Sequence, residues 1–261
     1  MYRQFLLKLL IKKERIFYEK SFDNRSFLGI GKAASTLFLE RGWQVIMVDK
    51  VEDEQLNADL KKQYKDNVYF YLGDISQNDT VMLLYDFVLE KTAGVDSLIN
   101  NAGIIQHGYL HSADEYEWDE IFNTDVKSIY LTTKYFVPDM IKRGSGTIVN
   151  TASISGLLGD FKMPIYNAAK GAVVNLTRAM ALDYAEFGIR VNSICPSAIR
   201  TPLIKGPLEP HIEVNPMKRI GEPIEAAKAI YFLASDESSF INGTNLPVTG
   251  GLEAHTGQPR K

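Results

Sequence analysis

The sequence predicts an α/β protein with a single doubly wound domain, in which helices cover both faces of a mostly parallel sheet. Runs rich in apolar and β-branched residues alternate with helix-like stretches over residues 29–251. Strands that alternate with helices in this way form parallel sheets. The strand-like runs also end in small or polar residues, and ligands bind beyond the carboxyl ends of such strands.

The predicted elements follow one another regularly along this region. The predicted strands are 43–49, 68–74, 95–103, 146–153, 189–196 and 242–251. Helix-like stretches between them include 31–41, 77–92, 115–142, 165–187 and 223–235. The least regular segment, 197–222, is rich in proline, and a loop of this length in a compact domain is often a lid or binding loop. We expect it to contact the substrate.

Composition limits the classes of partner. The 261 residues are 45% apolar and 23% charged, which is typical of a soluble globular protein. A net charge of −3 gives no electrostatic reason to expect nucleic acid or an anionic membrane. No apolar run is long enough to span a bilayer, the N-terminus lacks signal-peptide features, and the single cysteine suits a reducing compartment. We therefore expect a cytoplasmic protein with no nucleic-acid or membrane partner and no metal site.

A short glycine turn predicts a phosphate site. Gly29, Ile30 and Gly31 open a predicted helix, and a helix N-terminus reached through such a turn binds phosphate groups. Asp49 ends an apolar strand roughly 20 residues later, where an acid accepts hydrogen bonds from the adenosine ribose. Its charge would repel a 2′-phosphate, which favours NAD over NADP. Taken alone, Asp49 could equally be a solvated aspartate at a strand end.

The next two strand ends add further candidate cofactor contacts. Asp74 and Ile75 follow the second of these strands and could meet the adenine edge. Asn101, Ala102 and Gly103 lie in the NNAG stretch, where small residues allow the backbone to approach a ribose or nicotinamide ring. By itself this stretch could equally form a turn.

The candidate reaction chemistry lies in Tyr166 and Lys170, preceded by Ser153. Residues four apart on a helix share a face, so the two side chains project together. A tyrosine with an ordinary pKa of about 10 is a poor base, and a nearby ammonium favours its phenolate. Ser153 follows a predicted strand and could donate a hydrogen bond to a substrate oxygen. A lone YxxxK pattern is common on exposed helices, so its weight comes from the neighbouring motifs.

Together these motifs resemble the short-chain dehydrogenase/reductase family over residues 29–251. The resemblance implies a Rossmann-type domain, an NAD cofactor, a small-molecule alcohol or ketone substrate and a homo-oligomer, typically a tetramer. The sequence leaves the substrate open among sugars, polyols, steroids, small ketones and acyl thioesters. It also implies that Tyr166 is the acid/base, that Ser153 orients the substrate oxygen, and that Lys170 holds the nicotinamide ribose. Ile199 and Thr201 would then meet the nicotinamide carboxamide. We expect His107, Leu157, Phe161 and residues 203–215 to line the substrate.

Two departures from the family pattern bear on the site. Asp125 occupies the position where the family often has an asparagine of the proton relay, and it is taken as the fourth catalytic candidate. A buried carboxylate there would be costly without partners. In addition, Asn24 and Arg25 replace the expected threonine and first glycine of TGxxxGxG. A side chain at that glycine would intrude on the cofactor, and the polar residues 17–28 should damage a central strand.

The genetic code offers an explanation for residues 1–28. When the degenerate codons of Phe17 to Phe27 are read one base downstream, they permit MKKVLITGVS, an apolar strand followed by the missing Thr-Gly. We therefore treat 1–28 as an aberrant, out-of-frame segment and 29–261 as the domain, with a working start near position 18. The alternative is a genuine divergent extension.

The sequence therefore predicts an NAD(H)-dependent oxidoreductase that interconverts a secondary alcohol and a ketone. The alternative is a degenerate or regulatory Rossmann-like protein with impaired cofactor binding, which Arg25 favours.

Overall fold

A computed structural model describes residues 15–19, 29–254 and 256, with the backbone alone for 15–19. The strands in these residues are β1 (Arg15–Glu19), β2 (Gln44–Asp49), β3 (Val68–Leu72), β4 (Ser97–Asn100), β5 (Gly146–Thr151), β6 (Ile189–Pro196) and β7 (Asn245–Val248). They form one parallel sheet in the order β3-β2-β1-β4-β5-β6-β7. The order reverses between β1 and β4, which marks the point where such sheets bind ligands.

Helices cover both faces of the sheet, as predicted. They are α1 (Ile30–Glu40), α2 (Glu54–Tyr64), α3 (Asn78–Thr92), α4 (Glu115–Phe122), α5 (Ser128–Arg143), α6 (Pro164–Tyr184), α7 (Glu209–Val214) and α8 (Pro223–Ala234). One face carries α1, α2 and α8, and the opposite face carries α3, α5 and α6. The predicted α/β, doubly wound fold is therefore confirmed. None of the described helices is both long and apolar enough to cross a membrane.

Two apolar cores lie on the two sides of the sheet. Within β2, Val45 and Met47 pack with α1, α2 and α8, whereas Ile46 and Val48 pack with α3, α5 and α6. All four side chains are buried. Successive strand residues point to opposite faces, so a strand covered on both sides needs a continuous apolar run. The two cores hold the strand ends in fixed positions.

The central strand, β1, lies in a segment for which the sequence predicted no strand. In β1, Phe17 aligns with Ile46 of β2 and Leu98 of β4. The expected damage to the central strand is therefore wrong, because the backbone of Arg15–Glu19 supplies it. Residues 1–14 and 20–28 lie outside the described residues, and with them Asn24 and Arg25. The frameshift hypothesis stays a prediction.

The predicted loop 197–222 is more ordered than its proline content suggested. It contains α7, and its base is closed by a parallel bridge between Ile199 and Gly221. The Gly221 amide donates to the Ala198 carbonyl at 2.9 Å, and the Arg200 amide donates to the Gly221 carbonyl at 2.8 Å. The loop therefore leaves the sheet and returns to it at a fixed point.

Candidate active site

A cavity of about 280 Å³ brings together residues from several separate segments of the chain. It runs from the start of α1 past the carboxyl ends of β4, β5 and β6 to α6 and the 197–222 loop. The residues predicted for the site that line it are Gly29, Ile30, Asn101, Gly103, Ser153, Tyr166, Lys170, Ile199 and Thr201. The predicted catalytic and cofactor residues thus largely share one cavity.

The other predicted cofactor residues lie outside the cavity lining. Gly31 is buried in α1, and Ala102 packs against the core that contains α3. Asp49 ends β2, and its Oδ1 accepts a hydrogen bond from the Val51 amide at 3.1 Å. Beyond β3, Asp74 accepts from a backbone amide two residues later, while the Ile75 side chain is buried. Their proposed contacts with a dinucleotide stay predictions.

Helix α6 places Tyr166 and Lys170 on its buried face. Pro164 begins the helix, where a proline leaves no hydrogen bond unmade. A Cβ atom on Gly156 would lie 2.5 Å from the Lys170 carbonyl oxygen, so the turn after Ser153 packs directly against α6. This close approach brings the Ser153 hydroxyl to the phenol of Tyr166, and both side chains are buried.

Burial and four neighbouring groups set the pKa of Tyr166. Burial raises the pKa most, and the carboxylates of Asp125 and Asp160 also raise it, whereas the Lys170 ammonium and a hydrogen bond with Ser153 lower it. The influence of Lys170 has the predicted sign. The net pKa nevertheless lies above the ordinary value of 10, because burial dominates. Lys170 thus lowers the pKa of Tyr166, as expected, but burial outweighs it in the chain by itself.

Lys170 is held in place by a buried ion pair with Asp125. The Lys170 Nζ lies 3.1 Å from the Asp125 Oδ2 and donates to the Thr151 carbonyl at 2.9 Å. The other carboxylate oxygen, Oδ1, accepts from the Ile104 amide at 2.9 Å. The buried carboxylate therefore has the partners that its burial demands. Lys170 belongs to the lining of the cavity, whereas Asp125 does not.

The pair changes the ionisation of both partners. Burial alone would lower the pKa of Lys170, but Asp125 together with Tyr166 and Cys195 outweighs this and raises the pKa, so the ammonium stays charged. Burial raises the pKa of Asp125, and the Lys170 charge opposes that rise. Each partner also has a hydrogen bond outside the pair, from the Ile104 amide to Asp125 and from Lys170 to the Thr151 carbonyl, which offsets part of the cost of burying the two charges.

The geometry of Asp125 depends on a local irregularity in the helix. Residues Asn123–Lys127 form a π-helical turn that joins α4 to α5. Such turns are rare and occur often at functional sites. A Cβ atom on Gly103 would lie 3.1 Å from both the Asp125 Oδ2 and the Lys170 Nζ. The absence of a side chain at Gly103 therefore leaves space for the ion pair between Asp125 and Lys170.

A buried polar network behind the site was missed by the sequence analysis. Asn100 donates to Asn150 at 2.8 Å and accepts from Thr132 at 2.9 Å, and Asn150 donates to Thr177 at 2.9 Å. This chain of hydrogen bonds joins α5, β4, β5 and α6. One feature of the sequence could have indicated it. An asparagine lies inside each of two predicted strands, Asn100 in 95–103 and Asn150 in 146–153.

The substrate side of the cavity is formed largely by the 197–222 loop. As predicted, His107 and residues of 203–215 line it, and the loop residues are Leu203, Ile204, Lys205, His211, Val214 and Asn215. Leu157 and Phe161 do not line the cavity, contrary to expectation. Leu157 packs against the core and the Phe161 side chain is fully exposed.

The start of α1 fits an anionic group. Gly29 is the N-cap, and the first turn of the helix contains no acidic residue. Among the described residues, no side chain caps the helix and nothing lies within 4 Å of a Cβ atom built on Gly29. A helix N-terminus attracts phosphate through its amides and its dipole. The described residues thus fit a dinucleotide that extends from α1 towards Tyr166. Among the residues that the structure describes, no group of three or more His, Cys, Asp or Glu side chains is arranged to hold a metal ion.

Comparisons with known proteins agree with this geometry. A family model described as enoyl-(acyl carrier protein) reductase matches residues 26–253. Meso-2,3-butanediol dehydrogenase of Serratia marcescens is 39% identical over 251 residues, which cover 92% of this chain and 98% of the relative. The structure of 3-ketoacyl-(acyl-carrier-protein) reductase from Brucella melitensis complexed with NADH has a TM-score of 0.84 at 29% identity, covering 92% of this chain and 98% of that one. ElxO with NADP bound has a TM-score of 0.86 at 28% identity, covering 93% and 100%.

The fold, the cavity and the buried Ser-Tyr-Lys group define an oxidoreductase that uses a nicotinamide cofactor. The chain belongs to the short-chain dehydrogenase/reductase family. Its reaction class is hydride transfer between that cofactor and a secondary alcohol or ketone.

Proposed function

We propose that the protein is an NAD(H)-dependent dehydrogenase of a small secondary alcohol, with Tyr166 as its acid/base. One observation carries this proposal. Ser153, Tyr166 and Lys170 are buried together in a cavity that continues to the N-terminus of α1. A substrate oxygen near the tyrosine and a dinucleotide along the cavity would therefore meet at one place.

Each group of this site has a distinct task in the proposed reaction. The bound cofactor supplies or accepts the hydride. The Tyr166 hydroxyl gives its proton to a ketone oxygen, or its phenolate takes the proton of an alcohol. The Ser155 amide donates to the Ser153 Oγ at 3.1 Å and so orients this hydroxyl, whose proton would turn from the Tyr166 oxygen to the substrate oxygen when substrate binds. Lys170 holds the nicotinamide ribose and favours the phenolate.

The remaining cofactor contacts are assigned by family resemblance and by position. Gly29, Ile30 and Gly31 would receive the pyrophosphate, and Asp49 the adenosine ribose. The other contacts in this proposal are Asp74, Ile75, Asn101, Ala102, Gly103, Ile199 and Thr201. The preference for NAD follows from the Asp49 carboxylate, since a 2′-phosphate beside it would be repelled.

The substrate in this proposal is a small alcohol or vicinal diol. The relative from Serratia marcescens is named for meso-2,3-butanediol. The cavity here combines apolar loop residues such as Leu203, Ile204 and Val214 with the polar side chains of His107 and Asp160, a mixture that suits a short carbon chain with a second oxygen.

A substrate panel with NAD and with NADP, followed by the absorbance of the reduced nicotinamide, tests the assignment. We expect turnover of small diols and cyclic secondary alcohols with NAD. Turnover restricted to acyl thioesters, or to NADP, would contradict the assignment.

The N-terminal segment supports a second proposal. We attribute Asn24 and Arg25 to an out-of-frame reading of residues 1–28, because the shifted frame restores both an apolar strand and the missing Thr-Gly. The gene sequence decides this directly. A +1 frame that cannot encode MKKVLITG across positions 18–25 would eliminate the hypothesis. If the printed segment is genuine, the alternative function, a regulatory or degenerate protein with impaired cofactor binding, gains support.

The assembly and location are proposed by resemblance. We expect a homotetramer in the cytoplasm, and light scattering coupled to gel filtration would reveal the assembly. A monomer at micromolar concentration would count against the tetramer.

A further inference from the structure

The candidate site contains a charge that cancels the charge of its lysine. The side chains of Asp125 and Lys170 are 0% and 4% exposed, and their charged atoms are 3.1 Å apart. Water therefore does little to screen the pair, and at this distance the two groups act together as a nearly neutral unit. An asparagine at position 125 would leave the lysine charge uncompensated.

The pair cannot separate into solvent without disturbing the fold. Asp125 lies in the π-helical turn between α4 and α5, and its Oδ1 accepts from the Ile104 amide. Lys170 projects from α6 and donates to the Thr151 carbonyl at the end of β5. Gly103 lies against both charged atoms. Four elements therefore fix the distance between the carboxylate and the ammonium.

The pair faces the phenol that performs the proton transfer. The Lys170 Nζ lies 5.7 Å from the centre of the Tyr166 ring. Its charge favours the phenolate, and the charge of Asp125 opposes the phenolate. We propose that Asp125 is a positioning residue that acts through Lys170, neutralising its ammonium and so moving the pH range in which Tyr166 works to more alkaline values.

Other charged or titratable groups near the pair do not replace this effect. Asp160 also opposes the phenolate of Tyr166, but its side chain is exposed and therefore screened. The Cys195 thiol faces Lys170 from β6, and burial raises its pKa, so it is neutral at ordinary pH. Arg178 acts on Cys195 from further along α6. Among the described residues around Tyr166, Asp125 is thus the buried carboxylate that opposes the phenolate.

The proposal rests on the proposed function, since it concerns Tyr166 as the acid/base, but its first test needs neither cofactor nor turnover. Phenolate absorbance is titrated in the full chain and in its Tyr166→Phe variant, and the difference isolates Tyr166. We expect a midpoint above the ordinary tyrosine value of about 10. The same difference is then measured with Asp125→Asn in both proteins, where the midpoint should fall by about one pH unit or more.

The matched control is Asp119→Asn, which removes an exposed carboxylate of α4 and should leave the Tyr166 midpoint unchanged. A midpoint that stays within about 0.3 units in Asp125→Asn, or that rises, would overturn the proposal. If Asp125→Asn does not fold, Asp125→Ser removes the same charge. If neither folds, the unaltered chain still tests the proposal, since a Tyr166 midpoint below the ordinary value would contradict it.

Kinetics separate this proposal from the proposed function. In a form of the chain that oxidises alcohols, Asp125→Asn should move the acid limb of the plot of kcat against pH to lower pH by as much as the Tyr166 midpoint falls. The NADH dissociation constant should stay within about threefold of the value without this substitution. Absence of NADH binding and turnover in every form would defeat the proposed function, yet the Tyr166 midpoint would still report on the role of Asp125.

Discussion

At the residue scale, Tyr166 combines burial with two groups that favour its ionisation. Burial raises its pKa above 10, while Lys170 and Ser153 act against that rise. A tyrosine in this state keeps its proton until a ligand changes its surroundings. The proposed chemistry therefore depends on a single hydroxyl, whose removal leaves the cavity walls in place.

Tyr166→Phe should lower kcat by at least about a hundredfold, because the proton transfer loses its acid/base. NADH affinity should change less than about threefold, since the ring itself remains. Steady-state kinetics and a fluorescence titration provide the two readouts. Tyr184→Phe, at the other end of α6, is the control and should behave like the unaltered chain. Equal turnover by Tyr166→Phe would refute the assigned role.

Asp49 provides the corresponding prediction for cofactor choice. Replacing it by serine removes the negative charge, so the preference for NAD over NADP in kcat/KM should shrink by about tenfold or more. Asp59→Asn, an exposed aspartate on α2, should leave the ratio unchanged. An unaltered ratio in Asp49→Ser would show that cofactor choice is set elsewhere.

At the element scale, a buried polar network ties the catalytic helix to the sheet. The hydroxyl of Thr177 accepts from Asn150, and Asn150 is linked through Asn100 to Thr132 of α5. These side chains are fully or almost fully buried. A satisfied buried network specifies one arrangement of its elements, because any other arrangement leaves polar groups unpaired.

Thr177→Val conserves shape but removes the acceptor of Asn150. The free energy of unfolding should fall by about 1–3 kcal/mol, the typical loss when a buried donor is left unpaired. Chemical denaturation measures it. Thr133→Val is a matched control, since among the described residues the Thr133 hydroxyl has no hydrogen-bond partner. Equal losses in the two variants would mean that the network contributes nothing specific.

Several elements could be predicted from sequence for clear physical reasons, and others could not. The apolar run of β2 and the helical spacing around Tyr166 carry strong periodic signals, and both elements lie where predicted. The π-helical turn at Asp125 was hidden, because one inserted residue hardly changes a helical pattern. The pairing of Asp125 with Lys170 joins distant segments, and sequence spacing alone cannot reveal it. Phe161 was misplaced because an exposed aromatic residue resembles a pocket residue in sequence.

At the scale of the whole molecule, the sheet and the long loop assemble the site from distant segments. The switch point between β1 and β4 opens the cavity, and the 197–222 loop closes its substrate side. Asn215 fastens that loop to the chain after β7 by donating to the Thr249 carbonyl at 2.8 Å. The family motifs predicted this convergence, whereas the strand Arg15–Glu19 was not foreseen because it is short and lies between charged residues.

We propose that the folded domain of this chain is a functional NAD-binding enzyme. A fluorescence titration with NADH tests it most directly, on the printed chain and on a form in which positions 18–27 read MKKVLITGVS, with Asn24→Thr and Arg25→Gly among the changes. We predict micromolar binding by the restored form, and weaker binding by the printed chain if the segment is out of frame. Absence of NADH binding by the restored form, with the fold intact by circular dichroism, would contradict the claim.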